Sequence, residues 1–363
     1  MIYMEKKSSG LMNNPFNDDL PNLYDISWQV SEKEYRKGEG LSYSTLSRYE
    51  REGFEKLDEL FNPISGPHLT FGSLVDTLLT GTPEELEEQY MVAEFPSVKP
   101  QHLILVEYLF DNYSDKYATL DDIPDKDIIS STEIVKFNTH WLPATRVKSI
   151  KEEATEYYNL NHLAQGKEIV ATKMYNDAVE VANVLRNHRV TKWYFEENRI
   201  GGVERFYQLK FKGEYDNIPI RCMADEIIVD HKTKTIYPID LKTSGKPEHA
   251  FIGSFIHWRY HIQARMYWYI IKQNLDKHPV FKDYKLENYT FIIISNETRI
   301  PLIWNYEDTT LEGDLVYGKN KDVILKDWRT SLKELNYYLT YKPSLPIGIK
   351  DVNSITEILN KNY

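Results

Sequence analysis

The sequence predicts an α/β protein with an N-terminal helical elaboration, and three observations carry that expectation. Between residues 204 and 244 three successive runs have period-two, β-rich character and are broken at Asp216-Asn217 and Asp230-His231. A stretch of helical spacing then leads to a further apolar run, Tyr-Thr-Phe-Ile-Ile-Ile-Ser at 289–295. Ahead of these, most of the legible apolar spacing is helical. A chain of 363 residues with 41% hydrophobic and 27% charged residues can bury a sizeable core, as one large domain or two ordinary ones.

Taken in order, residues 1–38 are rich in Asn, Asp, Ser and Pro and read as a partly ordered leader. A helical region follows over 39–199. Ser42 and Ser44 are candidate N-caps for a helix through Leu46, Tyr49 and Phe54 that ends near Asn62-Pro63. After the Ser65-Gly66-Pro67 turn, Leu69, Phe71, Leu74, Val75, Leu78 and Leu79 make a helical stripe closed by Gly81, and Thr82-Pro83 opens the next helix. Residues 88–145 are mixed, with acidic loops, and read as helical without a definite topology. Ile169, Met174, Ala178, Val181 and Leu185 predict one long amphipathic helix over 167–188.

The core is expected over 200–305. Its strands are 204–215, 218–230 and 234–244, an antiparallel meander, followed by a helix through 257–273 and the strand at 289–295. Residues 306–363 supply a helix from about 318 to 339 and a tail broken by Pro343 and Pro346.

Composition excludes several classes. No stretch approaches the roughly 20 apolar residues of a membrane span, and the start lacks the apolar run of a secretory signal, so a soluble, cytoplasmic protein without a membrane partner is expected. The single cysteine, Cys222, excludes an intrachain disulfide framework, a four-cysteine zinc site and a four-cysteine iron–sulfur cluster. Any metal must be held by oxygen or imidazole. The net charge of −11 opposes a phosphate-binding role, yet residues 186–272 carry 15 Lys and Arg against 10 Asp and Glu. A basic surface on the central segment and charges scattered over solvated faces fit that count equally well.

The chemistry-bearing residues fall within this segment: Glu204, Asp225, Asp240-Leu241-Lys242, and Gln263 with Tyr267. Strand side chains alternate, so Asp240 and Lys242 share a face. A hairpin turned at Asp230-His231 brings Asp225 alongside Asp240, and two carboxylates converge. Such a pair, with a backbone carbonyl such as that of Leu241, suits Mg²⁺ or another hard cation, which can acidify water and stabilise charge on a phosphoryl oxygen. An Asp-x-Lys on a strand is more often an exposed ion pair. Here it ends an apolar strand and is followed by Thr-Ser-Gly. Gln263 and Tyr267, four apart, share one helical face.

The order Glu204, Met223-Ala224-Asp225, Ile239-Asp240-Leu241-Lys242-Thr243 and Gln263-Ala264-Arg265-Met266-Tyr267 resembles the PD-(D/E)XK nuclease superfamily, and most of all its RecB, RecE and lambda-exonuclease branch. Leu41 to Tyr49 resembles the Leu-Ser-x-Ser opening of that branch, and the segment from Gly166 to His188 the helix before its meander. The resemblance spans about residues 41–295. It departs from the pattern at Asp76, where relatives carry a metal-ligating histidine, and at Ala224, which replaces the proline of the family's name. No Gly-Lys-Ser/Thr ATPase motif is present in the sequence.

The resemblance implies a restriction-endonuclease-like core, a mixed central sheet flanked by helices. It implies Mg²⁺ or Mn²⁺ held by Asp225, Asp240 and the Leu241 carbonyl, Lys242 positioning the attacking water, and Glu204 and Asp76 as outer or second-metal ligands. Gln263 and Tyr267 would steady the site or meet the DNA backbone, with Lys246, Arg259 and Arg265 as candidate phosphate contacts. The activity implied is a DNA exonuclease working from duplex ends to make single-stranded tails for recombination, of phage or prophage type in a bacterial cytoplasm. A single-strand annealing or single-strand-binding protein is the implied partner, and relatives include both ring-forming homo-oligomers and monomers. Three alternatives stay open: a structure-selective or single-strand endonuclease, a nuclease fold kept as a DNA-binding or structural module, and a structural cation site in an unrelated α/β protein.

Overall fold

The computed structural model describes residues 20–196, 202–319 and 323–341. Its helices and strands begin with α1 (Glu32–Lys37), α2 (Tyr43–Glu52), α3 (Pro67–Thr80), α4 (Pro83–Gln89), β1 (Tyr90–Val92) and α5 (Pro100–Tyr113). Next come α6 (Asp125–Ile134), α7 (Pro143–Ala164), β2 (Glu168–Val170) and α8 (Thr172–Asn187). The sheet region holds β3 (Val203–Tyr215), β4 (Ile218–Asp230), β5 (Thr235–Ser244), α9 (Phe251–Trp258), α10 (Tyr260–Leu275), β6 (Lys285–Leu286), β7 (Thr290–Ser295) and β8 (Pro301–Asn305). It closes with β9 (Leu315–Tyr317), β10 (Val323–Leu325) and α11 (Trp328–Tyr341). None of the described helices is long and apolar enough to cross a membrane.

The chain divides into two compact units, Gly66–Val184 and the combination of Met1–Ser65 with Leu185–Tyr363. In the first, α5, α6 and α7 pack on one another through a core that includes Leu105, Leu109, Ile128, Ile150 and Tyr158, which organises the stretch whose topology the sequence left open. There β1 pairs in parallel with β2. The expected helix over 167–188 is therefore shorter: 168–170 is strand, and α8 starts only at Thr172.

The second unit is a mixed α/β assembly around one mixed sheet of order β3-β4-β5-β7-β8, with β6 beside β5. The three meander strands pair antiparallel, as the sequence predicts. Asp216 and Asn217 adopt φ of 50° and 60°, and this left-handed pair makes a two-residue turn whose twist matches that of the strands it joins. β5 and β7 run parallel, so a crossover must connect them, and α9 with α10 provides it. The helix expected over 257–273 is broken in two at Arg259, whose φ of 58° ends α9. α10 lies close over Gly213 of β3, where a Cβ would press on Ile270 at 3.3 Å.

Within the leader Leu23 is fully buried and α1 begins with a capping box between Ser31 and Glu34. Two further expectations change. α2 belongs with the sheet unit, because Leu46 and Tyr49 pack into the sheet core. The C-terminal helix begins at Trp328 rather than near 318, since β9 and β10 pair antiparallel and Asp327 Oδ1 accepts the Arg329 N–H at 2.7 Å at the helix start. The earlier leader, 1–19, and the tail with Pro343 and Pro346 lie outside the described residues.

The core has one irregularity with consequences. On β4 the core positions run Ile220, Cys222, Ala224 and then Ile227, Val229; on β3 they run Phe211, Leu209 and then Phe206. Each strand drops one step of alternation, and the pairing steps from Leu209 with Ala224 to Tyr207 with Glu226 across that point. Between those pairs stand Gln208, at a left-handed φ of 52°, and Asp225.

Phe291 of β7 is fully buried and meets Phe251, Phe255, Tyr260 and Trp304, tying the crossover helices to the sheet. Phe291→Ala is expected to lower the unfolding free energy by about 3–5 kcal/mol, read from urea denaturation.

Candidate functional site

The site grows from the place where β4 leaves β5. Their last paired residues are Glu226 and Ile239, while β5 goes on pairing with β7 as far as Ser244. Beyond Ile239 the β4-facing edge of β5 has lost its backbone partner. The Leu241 N–H donates instead to Asp225 Oδ2 at 3.0 Å. A carboxylate thus takes the position of a carbonyl, and its charge strengthens the bond.

Asp240 is completely buried, and Lys242, two residues on, forms an ion pair with its Oδ2. The Gln263 amide, on α10, donates to Asp240 Oδ1. Lys242 Nζ also stands over the Tyr260 ring, 4.9 Å from its centroid. Burial pushes the Asp240 carboxyl above the ordinary carboxylate range; Lys242 pulls it down and Asp225 pushes it up again. Burial likewise pulls the Lys242 ammonium down, but Asp240, Tyr260 and Asp225 together overcome that and hold it above the ordinary lysine range. The amine is therefore a firmly held cation at neutral pH.

Tyr267 lies one turn beyond Gln263 and packs edge-on against Tyr43 and Tyr289. Burial raises all three phenols, with Asp240 among the groups that add to the shift in each, so they stay protonated and neutral. The sequence reading singled out neither Tyr43 nor Tyr260. Both had a signal: Tyr260 is three residues before Gln263 on the same helical face, and Tyr43 lies inside the Leu41 to Tyr49 segment.

The structure thus gathers Asp225, Asp240, Leu241, Lys242, Gln263 and Tyr267. It does not gather Glu204, which sits four positions along β3 from Gln208, about 13 Å at the usual strand rise. There Glu204 Oε2 accepts from His231 Nε2 at 2.8 Å, and His231 Nδ1 pairs with the Tyr284 hydroxyl at 3.0 Å. Asp76 lies on α3 of the helical unit, where its carbonyl accepts from the Thr80 hydroxyl at 2.9 Å.

The candidate phosphate contacts separate. Lys246 is exposed just past β5, and Arg259 is half-buried at the break between α9 and α10, donating to the Ile256 carbonyl. Arg265 is no surface cation. Its side chain is 1% exposed, it pairs with Asp327 at 2.7 Å, and it donates to the carbonyls of Leu311 and Gly313. Helical spacing could not distinguish these cases, because the partners of Arg265 come from more than 40 residues downstream.

A divalent cation fits the donor set in one respect that the structure itself supplies. Two carboxyl groups are pressed together with a single lysine to offset them, and the buried Gln263 Oε1 beside them has no hydrogen-bond partner. Only oxygen donors are offered, the set that hard cations take. Among the described residues no three His, Cys, Asp or Glu side chains cluster as a metal site, so a cation here would rest on two carboxylates, a backbone carbonyl and water.

No family model matches the sequence, and neither does any curated protein. Among solved structures, a candidate exonuclease from Eubacterium rectale is similar at 13% identity, over 86% of this chain and 85% of that one, with a TM-score of 0.36. A likeness that distant leaves the chemistry to be argued from this chain's own residues.

Arg265→Met removes the closer ion-pair partner of buried Asp327 and leaves it only the longer pair with Arg329 at 3.4 Å. We expect it to lower stability by about 3–5 kcal/mol in urea denaturation; an unchanged midpoint would return Arg265 to the list of surface cations.

Proposed function

We propose that this chain is a metal-dependent deoxyribonuclease of PD-(D/E)XK type, cutting phosphodiester bonds from duplex ends. One observation carries the reading: Asp225, Asp240 and Lys242 meet where β4 parts from β5, with Gln263 of α10 fixing Asp240. On this reading the sheet and its crossover helices are the restriction-endonuclease-like core. Asp225, Asp240 and the Leu241 carbonyl would hold Mg²⁺ or Mn²⁺, which when bound supplies an acidified water and a counter-charge for the phosphoryl oxygens.

The chain's own groups have distinct tasks. Gln263 fixes the Asp240 carboxylate through one oxygen and leaves the other to Lys242. Lys242, held as an ammonium, donates hydrogen bonds. It therefore suits orienting water and offsetting charge on the phosphate, whereas abstracting a proton would first require it to lose its own. The Tyr260 ring, itself packed against Tyr43, walls one side of the lysine, which limits the directions in which its hydrogens can point.

The sequence resemblance supports the finer parts of the proposal. These are the RecB, RecE and lambda-exonuclease branch, single-stranded tails as product, and an annealing or single-strand-binding protein as partner.

End-labelled linear duplex and closed circular duplex, incubated with Mg²⁺, Mn²⁺ or EDTA, test the reading. We expect cation-dependent loss of the linear form alone, reduced at least about 100-fold in Lys242→Ala. Cutting of the circle would replace the exonuclease with an endonuclease. A folded protein that cleaves neither form with either cation would end the nuclease reading.

A further inference from the structure

The rim beside Lys242 carries a surface for which the cleavage chemistry has no use. α9 ends at Trp258, which is 37% exposed although an indole is a large apolar group. The ring is nevertheless held in place. Arg51 of α2 lays its guanidinium over it, 4.5 Å from the centroid, and is itself fixed by donating from Nε to the Ser47 carbonyl at 3.1 Å. His257 stands edge-on to the same ring at 4.6 Å.

This group is joined to the site by short contacts. The Trp258 carbonyl accepts from the Tyr43 hydroxyl at 2.8 Å, Tyr43 packs against Tyr260, and Tyr260 lies under Lys242 Nζ. Arg259 follows Trp258 directly and shares the neighbourhood of Arg51 closely enough for their charges to interact. One partly exposed indole and two guanidinium groups therefore sit beside the candidate cleavage centre.

Those three groups match one kind of occupant. A nucleobase offers a flat face that stacks on indole whatever its sequence, and its phosphates offer the charge that two arginines attract. An apolar peptide would find cations flanking a single ring. A base inside a duplex, in contrast, already has both faces stacked, so the ring suits a base that is unpaired.

We infer that Trp258, flanked by Arg51 and Arg259, is a stacking platform for an unpaired base at the end of the DNA strand next to the cleavage centre. The inference rests on the nuclease reading for its substrate class and adds to it that the bound end is frayed or single-stranded.

Binding of a fluorescein-labelled oligo-dT to the full chain, followed by anisotropy in EDTA, separates recognition from cleavage. Trp258→Leu keeps an apolar side chain without the ring, and we expect it to weaken binding about tenfold. Trp258→Phe is expected to stay within about threefold of wild type. Trp141→Ala, which removes another 37% exposed tryptophan from the helical unit, is expected to change nothing. Equal affinity in Trp258→Leu and wild type overturns the platform, as does an equal loss in Trp141→Ala.

The outcomes also separate the two readings. Ring-dependent oligonucleotide binding by a protein that cleaves nothing keeps the platform and removes the nuclease. Lys242-dependent cleavage with binding indifferent to Trp258 removes the platform alone. A wild-type protein that binds no oligonucleotide removes the platform as well.

Discussion

The hydrogen bond from the Leu241 N–H to the Asp225 carboxylate is the constraint on which the site depends. A sheet strand that loses its neighbour must satisfy its N–H groups in another way. Here the pairing of β4 with β5 stops at Glu226, and the side chain of Asp225, one step farther from the turn that joins the two strands, accepts the bond that the β4 backbone would otherwise have taken. Asp225 is held against β5 without the two strands remaining zipped. Just beyond the parting point Asp240, Lys242 and Gln263 of α10 meet. The left-handed Gln208 stands opposite Asp225, so the alternation shifts in both strands together and the core stays continuous on either side.

α10 serves two structures with two faces. Tyr260, Gln263 and Tyr267, spaced by three and four, look toward the acidic pair and its tyrosine wall. His261 and Arg265, spaced by four, hold the C-terminal segment instead: His261 pairs with the Lys326 carbonyl at 3.0 Å, and Arg265 with Asp327. The segment after β8 is thereby anchored to the helix that positions Gln263, and the buried ion pair between Arg265 and Asp327 is costly to break from either side. Burial, with Asp225 adding to it, pushes the Asp240 carboxyl above the ordinary carboxylate range, an arrangement the fold tolerates.

Much of this was legible in the sequence, and the exceptions have physical causes. The meander could be read almost to the residue because alternation, β-branched content and the Asp216-Asn217 turn all agree. The convergence of Asp225 with Asp240 followed from the hairpin. The break at Arg259 was hidden, since no Gly or Pro marks it and arginine rarely adopts a left-handed conformation. Glu204 misled because strand parity says which face a residue takes, not how far along the strand its partners lie. Arg265 misled because its partners are distant in sequence. The short strands at 168–170 and 323–325 exist only through pairing with partners elsewhere, and three-residue runs carry no period of their own.

The central claim is that the Asp225 and Asp240 carboxyl groups form a divalent-cation site built for phosphodiester chemistry. Anomalous scattering from a crystal equilibrated with Mn²⁺ tests it most directly. The account predicts a manganese peak between these two carboxyl groups, absent from the same crystal form of Asp240→Asn. Manganese bound only elsewhere, or a peak here that survives the loss of the Asp240 charge, would contradict it.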